Sequence, residues 1–292
     1  MNGIVIDGSE TTRYTDFHLC AHIKILMEEL VGLTAGQIDP GHTESDYSKG
    51  MSCIAESLRD NSSRLGQLWN SQQNEDFIRF GPLLGRLILE QSLAIIVGRF
   101  DAIRFLALVR GAQSADFVMG QQNPSSFNWI RDVHPDIPPP ASWWTQKAID
   151  KLLSRSLLHG HLADYLFSIS HTDVIAELSD FTSNLSSLPS WVSDILNIEQ
   201  GVNVLGQLRT RSKACYSILS KGIHFEFLEG MNTQMSAASV AEAIRDAMIT
   251  VATAGLYSHF SDISLQRIER KVALAHFIEI MKKFDQPNLQ VA

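Results

Sequence analysis

Between residues 81 and 100 the chain reads GPLLGRLILEQSLAIIVGRF, and this run constrains the fold more than any other. Leu83, Leu84, Leu87, Ile88, Leu89, Leu93, Ala94, Ile95, Ile96 and Val97 leave a helix almost no polar side. A helix that is apolar all round must be covered by other elements. A bilayer would also cover it, but Arg86, Glu90 and Gln91 interrupt the run. Its uninterrupted apolar stretches fall short of the ~20 residues a membrane span needs. The run therefore predicts the central helix of a bundle, with Pro82 in its first turn, where a missing N–H costs nothing.

Periodicity supplies helices to surround it. Leu19, Cys20, Ile23, Leu26, Met27, Leu30 and Val31 recur at helical spacing after a cap at Thr15 or Asp16, and Gly32 and Gly36 close that segment. A second helix is expected over 46–70, with Met51, Ile54, Leu58, Leu65 and Trp69 facing inward. Beyond Gly98 a fresh helix is expected to begin at Asp101 and end at Gly111. Helix returns over 143–170, and His171-Thr172-Asp173 reads as the cap of another running to 181. A short segment follows over 191–196, then a helix over 199–220 stopped at Lys221-Gly222. Ser239 and Glu242 form a capping box for a helix to 259, and the last helix spans 264–284. No stretch alternates with period two, and there is no βαβ rhythm or internal repeat. The fold class is all-α, a helical bundle around a buried central helix at 81–100.

From 114 to 142 the periodicity vanishes, and Pro124, Pro135 and the run Pro138 to Pro140 bar any helix from crossing. This reads as a long loop inside one domain, 1–292, and it admits a subdivision into 1–113 and 143–292. Aromatic residues in and beside it bring large burial energies. They either pin the loop to the bundle or offer it to a protein partner, with Trp129, Trp143 and Trp144 as the contact residues.

The formal net charge of −8 argues against a generic phosphate-backbone binder, although local basic patches such as Arg209, Arg211 and Lys213 remain available to RNA. Cys20, Cys53 and Cys215 are odd in number and lack a C-x-x-C pair, which fits a reducing compartment. The first residues show no basic stretch leading into an apolar one, so a cytoplasmic, non-membrane protein is expected.

Chemistry-bearing residues gather in two places. Arg86 and Glu90 stand four apart in the most apolar helix and share a face. Tyr216, Ser220, His224 and Glu226 bring donors and acceptors to the end of the helix over 199–220. Packed together, Arg86, Glu90, Tyr216, Ser220 and His224 form either a buried polar network or a ligand-binding site. His18 and His22 share a helix face but lack the Glu of an H-E-x-x-H helix, and His159 and His161 diverge. No metal site is expected. No phosphate-binding glycine loop or nucleophile elbow is present, so no cofactor is expected either.

The pattern R-x-x-x-E at Arg86 and Glu90, followed by Y-x-x-L-S-x-x-x-H at Tyr216, Leu219, Ser220 and His224, resembles uncharacterised bacterial helical proteins related to the HEPN group. That group is similar to nucleotide- and RNA-associated bundles of toxin and phage-defence systems. Catalytic HEPN ribonucleases carry an Arg-x4–6-His motif, and Arg155 and His161 stand with five residues between them. Ser156 follows the Arg, where the family has Asn, Asp or His. The resemblance implies that Arg155 would steady a scissile phosphate while His161 moves a proton, without a metal.

Three readings follow. The first is a non-catalytic interaction or regulatory protein of a conflict or defence system. The second is a metal-independent ribonuclease using Arg155 and His161. The third is a small-ligand binder built on the Arg86 cluster. A protein partner is expected, and RNA and a second copy of the chain are admitted.

Overall fold

The computed structural model describes residues 26–38, 45–70, 74–103, 105, 106, 109, 161–183, 185–223 and 236–284. Among them helix is the only regular structure, as an all-α bundle requires. The elements are α1 (26–35), α2 (Asp46–Asn70), α3 (Asn74–Phe100), α4 (His161–Thr182), α5 (Ser190–Leu196), α6 (Gly201–Ile223), α7 (Ala237–Phe260) and α8 (Arg270–Phe284).

Helix α3 contains the 81–100 run and lies against α2, α6 and α7. It begins earlier than the run suggested, so Pro82 sits inside the helix rather than in its first turn. The added turns are held by Phe77, which is buried and meets Trp69 edge-on at 5.2 Å. Glu75 and Asp76 in the first turn complement the helix dipole. Together these offset the lost N–H of Pro82. A Cβ at Gly85 would come within 2.8 Å of Ile244 and 3.3 Å of Leu219, so this glycine sets how closely α3 approaches α6 and α7. The segment Glu75–Phe100 is long and apolar enough to cross a bilayer, with a mean hydropathy of 1.5, but 67% of that window is buried inside the bundle. Regular helix breaks at Asp101 and resumes at 102, as the sequence pattern indicates.

A second helix shares the centre. Every residue of α7 from 247 to 260 is buried, and α7 touches α3, α4, α6 and α8. Its hydroxyls return to the helix's own carbonyls: Thr250 Oγ1 donates to Asp246 O at 2.8 Å, and Thr253 Oγ1 to Ile249 O at 2.8 Å. A hydroxyl satisfied in this way can enter an apolar core. The cap of α7 is Ser236, whose side chain accepts from Ser239 N, so Ser239 is a first-turn residue and not the cap.

Three other boundaries differ from expectation. His171-Thr172-Asp173 lies in the middle of α4 and caps nothing, because the His171 side chain is drawn inward. Helix α6 continues through Lys221-Gly222 to Ile223. Residues 264–269 are not helical, since the backbone of this stretch bonds outward: Leu265 N to Arg99 O at 2.8 Å, and Gln37 N to Gln266 O at 3.0 Å. The core is one cluster of buried side chains running from Leu26 to Phe284, to which helices on both sides of 114–142 contribute. That long segment itself lies outside the described residues.

The end of α1 is set by Gly36, with φ +61°, whose N–H bonds Gly32 O at 2.9 Å. A Cβ there would run into the Gln266 carbonyl. Left-handed backbone costs an L-residue roughly 1–2 kcal/mol, and overpacking adds a similar amount. Gly36→Ala is therefore expected to lower stability by about 2–3 kcal/mol, read as a fall in the urea midpoint at unchanged slope.

Candidate functional site

The outer seam of α3 and α6 gathers the residues that the sequence singled out. Arg86 Nε donates to Glu90 Oε1 at 2.8 Å, and the two side chains are 25% and 28% exposed. The Arg86 guanidinium lies 4.8 Å from the centre of the Tyr216 ring, a cation–π distance. Burial pushes the Tyr216 phenol up; the nearby Glu90 carboxylate adds to this, and Arg86 and Ser220 oppose it. At neutral pH the phenol is a proton donor. Arg86, Glu90, Tyr216 and Ser220 thus stand together at the bundle's edge, with the ion pair partly open to water. His224 and Glu226 lie outside the described residues.

Along the same face of α3, at steps of three and four, stand Glu75, Arg79, Leu83, Arg86 and Glu90. Arg79 pairs with Glu75 at 3.6 Å. Leu83 is 42% exposed and the adjoining Phe80 52%. Two large apolar side chains are therefore displayed between two internally neutralised ion pairs.

The other candidate residues are not brought there. Arg155, Trp129, Trp143 and Trp144 lie outside the described residues, as do His18, His22 and His159. His161 is the first residue of α4, and no more of it is described. Of the basic cluster, Arg209 bonds Asp164 at 3.0 Å and Arg211 pairs with Asp246, while stacking 4.6 Å from the Trp191 ring. A phosphate would have to displace those carboxylates. Burial pushes the Cys215 thiol up to about 12, aided by Asp246, so this thiol is inert at neutral pH. Among the described residues no group of three or more His, Cys, Asp or Glu could hold a metal ion.

Two buried polar clusters escaped the sequence reading, and both are structural. The first surrounds Arg99, whose side chain is fully buried. Its Nε donates to Leu265 O at 3.0 Å and its Nη1 to Thr34 O at 2.9 Å, tying α3 to the loop before α8 and to the end of α1. No carboxylate among the described residues pairs with it. Burial lowers its pKa to about 9, which leaves it charged at neutral pH. His259 lies beside it. The Ile268 N–H donates to His259 Nδ1 at 3.2 Å, so the ring proton sits on Nε2 and is donated to Leu33 O at 2.8 Å. Burial, reinforced by Arg99, lowers the His259 pKa to about 3. The one signal in the sequence was that Ile95 and Ile96, four and three residues before it, give Arg99 no partner on its own helix.

The second cluster is His171 and Tyr257. His171 Nε2 meets Ile198 O at 2.9 Å, an acceptor only, so Nδ1 accepts from the Tyr257 hydroxyl at 2.7 Å. Phe167 stacks on Tyr257 with ring centres 4.5 Å apart. Burial raises the Tyr257 pKa, so it remains a donor. Tyr257→Phe leaves the imidazole acceptor unmet in the core and is expected to cost about 1–2 kcal/mol. Urea unfolding followed by circular dichroism reads this directly. A neutral result would mean that water replaces the hydroxyl.

No protein-family model, curated protein or solved structure matches this chain.

Proposed function

We propose that this chain is a non-catalytic interaction or regulatory protein that works through protein contact. The observation that carries this reading is the outer face of α3, where Phe80 and Leu83 are exposed between the Glu75–Arg79 and Arg86–Glu90 pairs. Apolar anchors rimmed by arginine and carboxylate suit a protein interface. A nucleic acid is a poorer fit, because Arg79, Arg86, Arg209 and Arg211 are each occupied by a carboxylate. The resemblance to HEPN-related proteins supplies the setting in this reading: the cytoplasm of a bacterium, in a conflict or defence system.

A photo-crosslinking residue at position 80 or 83 tests it, with exposed Lys271 on α8 as the control position. The reading expects one discrete adduct from 80 and 83, weakened at least tenfold by Arg86→Glu and absent from 271. Equal labelling at all three positions, or none, overturns it.

The convergence of Arg86, Glu90, Tyr216 and Ser220 supports the ligand-binding alternative, with His224 as its fifth residue. That alternative expects a metabolite-induced thermal shift lost in a folded Glu90→Gln variant. Metal-free RNA cleavage lost in a folded His161→Ala variant would replace both readings with the ribonuclease of Arg155 and His161.

A further inference from the structure

No further inference is drawn: the strongest candidate, the surface patch where the loop over 261–269 turns Ile263 and Leu265 outward while its backbone serves Arg99 and His259, is an apolar face, and nothing in the structure shows what covers it.

Discussion

Replacing Arg99 with alanine is expected to lower the unfolding free energy by about 3–5 kcal/mol, the largest loss from any single side chain discussed above. The guanidinium supplies donors to Leu265 O and Thr34 O. Alanine leaves the Thr34 carbonyl without its donor and Leu265 O with only the 3.3 Å bond from Ser264 Oγ, and it opens a void the size of a long side chain. Arg99→Met separates the two costs. It keeps most of the volume and relieves the burial of a charge, so its loss is smaller, and the difference from alanine reports the void. Arg99→Lys keeps the charge but offers a point donor in place of a fork, and should fall between them. Urea midpoints order the three. A loss below about 1 kcal/mol for alanine would mean that the loop and α1 do not depend on this cation.

The second large effect is a dependence on pH. The folded chain holds His259 neutral down to about pH 3, whereas the unfolded chain protonates it near 6.5. Between those values the unfolded state binds one more proton, so stability falls as pH falls, by up to about 1.4 kcal/mol per unit. Above about 6.5 the contribution is complete and flat. The cause is geometric: a proton on Nδ1 would point at the Ile268 N–H, donor against donor, beside a fixed positive charge. Unfolding curves from pH 4 to 8 should show this slope in the parent protein and a shallower one in His259→Gln. Parallel slopes would mean that other groups carry the acid sensitivity.

What could be read from the residues divides along a physical line. The α2 limits follow from the pattern because its inward stripe is regular and its ends carry ordinary turn residues. The 81–100 run announces a buried helix, but its first turns do not, since Phe80-Gly81-Pro82 looks like a break until Phe77 is seen against Trp69. Helix α7 hides its central place because Thr250, Thr253, Ser258 and His259 read in the sequence as a wet side, although each is satisfied within the core. The Arg86 seam is legible in part because Arg86 and Glu90 stand four residues apart on one helix, a spacing written in the chain itself. The Arg99 and His259 clusters are not, because their partners are largely main-chain groups of Thr34, Leu33, Leu265 and Ile268, and every residue carries a carbonyl. Arg155, the side chain of His161 and the tryptophans Trp129, Trp143 and Trp144 fall outside the described residues, so their roles rest on sequence alone.

The joint centrality of α3 and α7 bears on how the chain is made. The helix that covers α3 is synthesised about half a chain later, and translation at roughly 5–20 residues per second puts on the order of ten seconds or more between them. During that interval α3 has left the ribosome with part of its greasy circumference unclothed. Core closure by such distant contacts is slow and exposes the nascent chain to aggregation. Expression of a fragment ending before α7 should therefore yield insoluble or chaperone-bound material, and the natural chain depends in its first moments on whatever shields that helix.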